Sequence, residues 1–302
     1  MNKKKTLIFF QLIIAATFIF SAISKILSPG YFEITLLDQG LFSDRGIASY
    51  FARIFIILEL ALGLFFLQSN YLKKIFAPAT IILLIIFIGH MLFLILLGDN
   101  DNCGCFSSVI KMNPLEAIIK NLVLIVITFF VFKYSDPKPN SKTIPFSMFL
   151  FSVLFVFITT PISSTEEFPF LKYTNFENEG RVDLAEGEKI IAIFDATCDH
   201  CFETAKSLKR LDSELEDFPQ IYILIFGETD KDIKKFMSKS DIKYPYHKIN
   251  IDDFFDLIGS VPPRLYWLKD GEVVQVWDER IEEKLWDKFG QRDNLHFELN
   301  VE

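Results

Sequence analysis

Cysteine is scarce in the sequence, with four in 302 residues, and no internal repeat or low-complexity stretch is present. So low a count in so long a chain excludes a disulfide-stapled scaffold. The four cysteines form two close pairs, Cys103/Cys105 and Cys198/Cys201. A disulfide that closes so short a loop removes little entropy from the unfolded chain, so the pairs indicate redox or metal chemistry rather than structural stapling.

Basic residues are under-represented in the C-terminal part of the chain. Residues 165–302 carry 18 Lys and Arg against 31 Asp and Glu, whereas residues 1–164 carry 13 against 8. Because nucleic-acid binding requires a basic face, the acidic C-terminal part excludes nucleic acid as a partner. The chain is 51% hydrophobic with a mean hydropathy of +0.30, which is too apolar for an ordinary soluble protein. The sequence therefore predicts an apolar N-terminal part followed by an acidic, water-soluble part.

Long apolar runs recur in the N-terminal part. A helix needs about 20 apolar residues to cross the hydrocarbon core of a bilayer. Five spans are predicted, at residues 6–27, 50–67, 75–97, 115–132 and 145–162. A cleaved signal peptide over residues 3–24 is the alternative for the first run. That run is longer than is usual for a signal peptide, and Lys25 and Pro29 mark an outer boundary.

Lysines set the predicted orientation, because connections rich in basic residues stay in the cytoplasm. Lysines precede the first span and also lie between the second and third and between the fourth and fifth: Lys3, Lys4, Lys5, Lys73, Lys74, Lys133, Lys138 and Lys142. Residues 28–49, 98–113 and everything after 164 then face outward. The sequence predicts a multi-pass protein of the bacterial inner membrane, in contact with lipid, with a cytoplasmic N-terminus. Its C-terminal domain and all four cysteines are predicted to be periplasmic.

Polar residues inside the spans are expensive in lipid and tend to face a bundle interior or a cavity. Those that fall mainly in the outer half are Lys25, Arg53, Glu59, His90, Lys120 and Asn121. Together they predict a polar pocket that opens outward beneath the loop of Cys103. Taken singly, each has a simpler explanation: Lys25 and Arg53 snorkel, Glu59 pairs with a lysine, and His90 is hydrogen-bonded within the bundle.

Short apolar runs alternate with amphipathic stretches after residue 189, which is typical of an α/β domain. Strands are predicted at residues 189–194, 220–226, 264–268 and 272–277. Helices are predicted at residues 201–215, 230–238 and 279–289. Asp270-Gly271, between the last two strands, is a strong hairpin signal.

The first of these strands meets its helix at Cys198-Asp199-His200-Cys201. A thiol at a helix N-terminus faces unpaired N–H groups, which favours its thiolate relative to an ordinary thiol with a pKa of ~8.5. Cys198 is therefore predicted to be the attacking sulfur, and the more shielded Cys201 the resolving thiol. His200 stabilises a thiolate when protonated, whereas Asp199 opposes it. The same spacing also serves half of a zinc or copper site, so a metal-handling protein remains an alternative.

Val261-Pro262-Pro263 directly precedes a predicted strand and the Asp-Gly hairpin. Together with Cys198 and Cys201, this arrangement resembles the thioredoxin superfamily over about residues 184–289. The resemblance implies a thioredoxin-like fold in which Pro263, after a cis bond, lies opposite the cysteines. A cis X-Pro bond costs only about 1 kcal/mol.

Two features depart from that superfamily. Ala192 replaces the buried acid of classical thioredoxin, so proton removal from Cys201 needs another route, either water or Asp195. The intervening Asp199-His200 pair resembles oxidising members such as DsbA, which favours an oxidant over a general reductant.

The membrane part carries a second motif, Cys103-Gly104-Cys105-Phe106, in the outer loop before the fourth span. It is accompanied within and near the spans by Phe18, Ser21, Lys25, Pro29, Glu59, Gly63 and Asn121. With these residues, roughly positions 6–134 resemble the DoxX-like superfamily and, more closely, the methylamine-utilisation protein MauE. The resemblance implies a four-helix bundle similar in architecture to vitamin K epoxide reductase and a role in disulfide formation in exported proteins. Ser107 stands where a second glycine is common.

Cys103 and Cys105 can form a disulfide, because an i, i+2 pair can fall within the required Cα distance and Gly104 relieves the backbone. A strained, exposed disulfide exchanges readily with an incoming thiolate. A static bridge and a Cu(I) site are the alternatives for this pair.

Together these features predict a four-helix membrane domain at residues 1–135, a fifth helix and connector at 136–164, and a thioredoxin-like domain at 165–302. The predicted function is a membrane thiol–disulfide oxidoreductase that exchanges with exported cysteine-containing proteins at Cys198/Cys201 and passes electrons to Cys103/Cys105. The resemblance to vitamin K epoxide reductase implies a quinone acceptor rather than a tightly bound cofactor, and no residue is assigned to a metal. The candidates for the quinone pocket are His90, Lys120, Glu59, Asn121 and Lys25. A reductive carrier for envelope proteins is a further alternative.

Overall fold

The computed structural model of the chain describes residues 3–98, 104–107, 109–110, 112–135, 141–162 and 167–299, the last nine of these as backbone only. The chain divides into two compact units, Met1–Ile162 and Ser163–Glu302. The first unit ends where the predicted fifth span ends, at residue 162.

The membrane unit is helical. Its helices in the described residues are α1 (Lys3–Leu27), α2 (Pro29–Asp38), α3 (Arg45–Phe66), α4 (Ala77–Leu96), α5 (Pro114–Tyr134) and α6 (Thr143–Thr159). A π-helical turn, Leu72–Phe76, leads into α4. Side chains cap the starts of two helices: Asp44 accepts the N–H of Ile47 before α3, and Asn113 forms a capping box with Glu116 before α5.

Several of these helices are long and apolar enough to cross a membrane. Within the described residues they are Lys3–Leu27, Arg45–Phe66, Leu72–Leu96 and Pro114–Tyr134. They confirm the prediction of a multi-pass helical bundle. The predicted fifth span is α6, a largely apolar helix whose 17 residues place it at the short end of the usual range of about 17–25.

α1 is packed into the core of the bundle. A β-carbon at Gly63 of α3 would lie 2.6 Å from Cγ1 of Ile19 and 3.1 Å from the carbonyl oxygen of Ala15, so α1 and α3 approach closely at this glycine. Ile14 of α1 belongs to the same buried cluster as Phe65 of α3. These contacts support the transmembrane interpretation of the first run over a cleaved signal peptide.

α2 lies within residues 28–49, for which the sequence patterns predict no element. Its Glu33 is 5% exposed and accepts hydrogen bonds from Arg45 Nε, at 3.0 Å, and from Arg53. Arg53 also donates to the carbonyl oxygens of Thr160, at 3.2 Å, and Pro161, at 3.3 Å. The interpretation of Arg53 as a snorkelling side chain is therefore wrong. It is buried, and it joins the C-terminal end of α6 to α2 and to the N-terminal half of α3.

The soluble unit is built on a mixed five-stranded sheet in the order β5-β4-β3-β6-β7. β3, β4 and β5 are parallel, and β6 and β7 are antiparallel to their neighbours. The strands are β1 (Asn175–Phe176), β2 (Gly180–Arg181), β3 (Glu188–Asp195), β4 (Gln220–Phe226), β5 (Tyr246–Ile249), β6 (Arg264–Lys269) and β7 (Glu272–Trp277). The helices are α7 (Asp199–Glu214), α8 (Asp230–Ser240), α9 (Ile251–Leu257) and α10 (Ile281–Leu299).

This topology confirms the predicted α/β fold. A β-α-β half, formed by β3, α7 and β4, is joined edge to edge with a β-β-α half, formed by β6, β7 and α10. Such a pairing is the thioredoxin-like arrangement. β1, β2, β5 and α9 are additional elements that the sequence patterns did not predict. β3 is buried over almost its whole length because it is the central strand, with helices contributing side chains such as Leu208 and Leu285 to its core.

Glu33→Gln should destabilise the membrane unit. The substitution removes the carboxylate that faces the buried Arg45 and Arg53 side chains, and breaking a buried ion pair costs on the order of 3 kcal/mol. Thermal unfolding in detergent measures the effect. Glu116→Gln is the matched control, since glutamine also suits a capping box and the site is exposed. Equal unfolding temperatures for the two variants would contradict this account of the cluster.

Candidate functional site

The first candidate centre lies where β3 meets α7. β3 ends at Asp195, and Cys198 follows as the N-cap of α7 with an extended backbone. The Cys198 Sγ accepts a hydrogen bond from the backbone N–H of Cys201 at 3.4 Å. The thiol therefore occupies the cap position that a serine or aspartate usually fills, facing the positive end of the helix.

The two sulfur atoms of this centre have opposite environments. Cys198 is half-buried, whereas Cys201 is fully buried in the core of the unit. The hydrogen bond from the Cys201 side chain, helped by backbone N–H groups, lowers the pKa of Cys198 to about 6 despite its partial burial. Burial raises the pKa of the Cys201 thiol far above its ordinary range, although its sulfur accepts the Asp195 N–H at 3.4 Å. At neutral pH the pair therefore consists of a Cys198 thiolate and a Cys201 thiol.

The other residues predicted around this pair lie at different depths. Asp199 and His200 are exposed, and Ala192 is fully buried in β3. The carboxylate of Asp195 accepts both the N–H and the hydroxyl of Thr197, each at 2.7 Å, and its charge opposes ionisation of both cysteines. Asp195 contacts Cys201 through its backbone N–H. Its proposed role in removing the Cys201 proton stays a prediction.

A groove runs beside the cysteine helix. The peptide bond between Pro262 and Pro263 is cis. Together with His200 of α7 and the half-exposed Trp286 of α10, these prolines line an open groove of about 770 Å³. The groove is large enough to accept an extended segment of another polypeptide beside the first turn of α7.

The second candidate centre lies at Cys105 in the membrane unit. Cys103 falls outside the described residues. Gly104 has φ +69°, and a β-carbon there would lie 2.6 Å from Cγ2 of Thr35 in α2. Both the left-handed backbone and the lack of space therefore favour glycine at this position. Ser107 has φ +51° and is fully buried, with its hydroxyl donating to the carbonyl of Ser28 at 3.2 Å. The left-handed backbone is the physical reason why glycine suits position 107.

A buried ion pair holds the backbone of Cys105. Lys25 Nζ lies 2.9 and 3.1 Å from the two carboxylate oxygens of Glu59, and both side chains are buried. The same ammonium donates to the Cys105 carbonyl oxygen at 2.7 Å and to Ser21 Oγ at 2.8 Å. Ser21 Oγ in turn lies 2.8 Å from that carbonyl oxygen and 3.0 Å from Glu59 Oε2. α1 and α3 thus fix the peptide of Cys105 through a single polar cluster.

A small polar cavity adjoins this cluster. Its volume is about 30 Å³, and its lining includes Ser21, Glu59, Cys105, Lys120 and Asn121. The Lys120 ammonium lies 4.6 Å from the centre of the Phe106 ring. The structure therefore brings Glu59, Lys120 and Asn121 together beside Cys105, with Lys25 bound to Glu59.

His90 is placed elsewhere. Its Nε2 lies 3.0 Å from Oε1 of Gln39, and it does not line the cavity beside Cys105. Sequence patterns gave no signal for Gln39, because the loop that carries it has no recognisable period. Among the residues that the structure describes, no group of three or more His, Cys, Asp or Glu side chains is placed to hold a metal ion.

Comparisons with known proteins match this two-part organisation. A family model described as Methylamine utilisation protein MauE matches residues 3–134. Protein TlpB of Flavobacterium psychrophilum is 30% identical to the chain over 310 aligned positions, which cover 83% of this chain and 84% of the relative. The chain belongs to the family of Protein TlpB, and its membrane part is a MauE domain. A share of 83% exceeds either unit alone, so the relative aligns with parts of both units.

The family match confirms the resemblance that rested on Cys103-Gly104-Cys105-Phe106. The MauE domain extends from the start of α1 to the end of α5 and so contains Lys25, Glu59, Lys120 and Asn121. α6 lies beyond its end, as does the whole soluble unit.

Alkylation of Cys198 should have its half-maximal rate near pH 6, because only the thiolate reacts and the pKa of Cys198 is lowered to about 6. Cys201→Ala removes the S–H donor, so the midpoint should rise toward about 8.5; at that limit the rate at pH 6.5 falls roughly 80-fold. Cys201→Ser keeps a hydroxyl donor, so its alkylation midpoint should lie between those of the unchanged chain and Cys201→Ala. Iodoacetamide kinetics on the reduced protein, followed by mass spectrometry of the Cys198 peptide, measure these midpoints. An unchanged midpoint in Cys201→Ala would refute the assigned cause.

Gly104→Ala should disrupt the Cys105 loop, because it combines a left-handed backbone, costing roughly 1–2 kcal/mol, with a clash against Thr35. Gly98→Ala is the matched control, since Gly98 has φ +82° but open space around it. Adding Thr35→Ser to Gly104→Ala should restore part of the lost stability. The serine lacks the clashing methyl group but keeps the hydroxyl that donates to the carbonyl oxygen of Tyr31. Thermal unfolding in detergent measures the stability of all three variants. Equal losses in Gly104→Ala and Gly98→Ala would show that the clash is irrelevant.

Proposed function

We propose that the chain is a membrane thiol–disulfide oxidoreductase that forms disulfides in exported proteins. In this proposal it resides in the bacterial inner membrane with a cytoplasmic N-terminus and a periplasmic soluble unit. The observation that carries the proposal is the asymmetry of Cys198 and Cys201. An ionised, half-exposed sulfur next to a buried, protonated one is what a nucleophilic and a resolving cysteine require.

The stabilised thiolate also favours an oxidising direction. A low pKa of Cys198 stabilises the reduced form of the couple relative to its disulfide at neutral pH. The disulfide form is correspondingly easier to reduce. It accepts two electrons from a pair of client thiols, which become a disulfide, while Cys198 and Cys201 become a thiolate and a thiol and one proton is released.

The groove beside Pro263 offers a place for the client. His200, in the first turn of the helix that Cys198 caps, lines it, and its open side admits an extended segment that carries a cysteine. In the proposal the client cysteine is held there while Cys198 forms the mixed disulfide and Cys201 resolves it.

Electrons then pass to Cys103/Cys105. Support comes from the membrane unit itself, in which Thr160 and Pro161, just after α6, accept hydrogen bonds from Arg53. Arg53 also pairs with Glu33 of α2, the helix whose Thr35 lies next to Gly104. The fifth helix therefore leaves the bundle toward the end that holds Cys105. Tethering in one chain raises the effective concentration of one couple at the other.

A quinone dissolved in the bilayer is the proposed final acceptor, since the bilayer is where quinones reside. The cavity beside Cys105, at about 30 Å³, has the volume of one water molecule and does not fit a quinone ring. Glu59, Lys120 and Asn121 therefore do not form a pocket large enough for a quinone ring, and the proposal assigns the quinone no contact with them.

Cys201→Ala tests the proposal through its clients. Without the resolving thiol, mixed disulfides between Cys198 and exported proteins should accumulate, and mass spectrometry of the trapped adducts identifies them. A variant that lacks both Cys198 and Cys201 is the control and should trap none. Absence of adducts in Cys201→Ala, with the protein folded in the membrane, would overturn the assignment of Cys198 as nucleophile. Acid-quenched cells in which Cys198/Cys201 is mostly reduced would reverse the direction and favour the reductive carrier.

A further inference from the structure

The cavity beside Cys105 has room for a water molecule, and several polar groups interrupt its otherwise apolar lining. Its volume of about 30 Å³ matches the volume that one water molecule occupies in the liquid. A buried water needs two to four polar partners, and an empty cavity in a protein is normally apolar. Here the lining includes a carboxylate, an amide, a hydroxyl and an ammonium group, on Glu59, Asn121, Ser21 and Lys120.

Asn121 supplies the strongest indication of a bound molecule. Its side chain is 2% exposed, and its Nδ2 has no hydrogen-bond partner among the described residues. An unsatisfied buried donor is unfavourable, and a water molecule in the adjoining cavity satisfies it. Glu59, which lines the same cavity, supplies the acceptor.

The charges around the cavity favour movement of a proton away from sulfur. Lys25 and Lys120 bring two positive charges to the site, and Glu59 brings one negative charge. A thiolate at Cys105 would therefore lie next to an excess positive charge, which stabilises it. Ionisable side chains inside a membrane domain are expensive, and paired ones often serve as proton relays.

We propose that this cavity holds a water molecule that transfers the proton of the Cys105 thiol to Glu59. The inference rests on the proposed redox role of Cys103/Cys105. In the step, the S–H bond of Cys105 breaks and its electron pair stays on sulfur. The water gains that proton and passes another to the Glu59 carboxylate, so the site changes from a thiol and a carboxylate to a thiolate and a carboxylic acid, with no change in total charge.

Lys25 acts as the positioning residue for this transfer. It binds both oxygens of Glu59 and, at the same time, the carbonyl oxygen of Cys105, so it fixes the proton acceptor relative to the cysteine backbone. Asn121, which lines the cavity and has an unpartnered Nδ2, orients the water.

Infrared difference spectroscopy on the full chain in lipid vesicles tests the inference. Cys198→Ser together with Cys201→Ser leaves the membrane couple alone to respond to a soluble dithiol or oxidant. We expect the thiolate form to show the C=O stretch of a protonated carboxyl group, shifted in heavy water and absent in Glu59→Gln. The exposed Glu116→Gln is the matched control and should keep the band. Absence of the band in the chain that retains Glu59 would overturn the inference, whatever the folding of the variants.

A second readout separates proton transfer from a structural role of Glu59. Glu59→Gln leaves two ammonium groups beside Cys105 without their carboxylate, so alkylation of Cys105 at neutral pH should become several-fold faster. Oxidation of the Cys103/Cys105 dithiol, which also proceeds through the thiolate, should become faster by a similar factor. Parallel loss of both rates would contradict the relay. Because the membrane couple is driven by soluble reagents, failure here is distinguishable from failure of the client exchange.

Discussion

Lys25 and Glu59 carry opposite charges inside a largely apolar bundle, so each charge needs a partner within it. They pair with one another, and the Lys25 ammonium also donates to the carbonyl oxygen of Cys105. The position of the cysteine loop therefore depends on an ion pair between α1 and α3 together with hydrogen bonds within the loop, such as that from the Ser107 N–H to the Gly104 carbonyl oxygen. The second buried cluster, around Glu33, applies the same constraint to α2, α3 and the C-terminal end of α6. Charge pairing in a low-dielectric interior thus fixes the polar end of the bundle.

In the soluble unit, two neighbouring cysteines have opposite ionisation states. A single turn of helix separates Cys198 from Cys201, yet one sulfur is stabilised as an anion and the other is kept protonated. The difference arises because Cys198 caps the helix, where N–H groups are free to donate, whereas Cys201 lies against the core. The departures from classical thioredoxin are compatible with this asymmetry, since His200 contributes to it through its backbone N–H and the exposed side chains of Asp199 and His200 are not among its causes.

Periodic features could be predicted from the sequence, and features that depend on pairing between distant residues could not. The spans and the strands β3, β4, β6 and β7 follow from runs of apolar residues, and Cys198 follows from its place between a strand and a helix. α2 escaped prediction because its ten residues mix polar and apolar side chains without a clear period, and its stability comes from Glu33 and its arginine partners. The polar residues of the spans were found, but their grouping was not. Depth along each helix suggested one pocket, whereas packing joins Glu59, Lys120 and Asn121 and leaves His90 with Gln39.

The account as a whole depends on direct exchange between the two cysteine couples of one chain. The most direct measurement uses two full-length variants that keep Cys198 and one membrane cysteine each, namely Cys201→Ala combined with Cys103→Ala or with Cys105→Ala. After mild oxidation in vesicles, peptide mass spectrometry should find Cys198 joined to the remaining membrane cysteine, at a rate that does not change with protein concentration. If neither variant forms this bond, although both sulfur atoms still react with soluble reagents, the relay within the chain is contradicted.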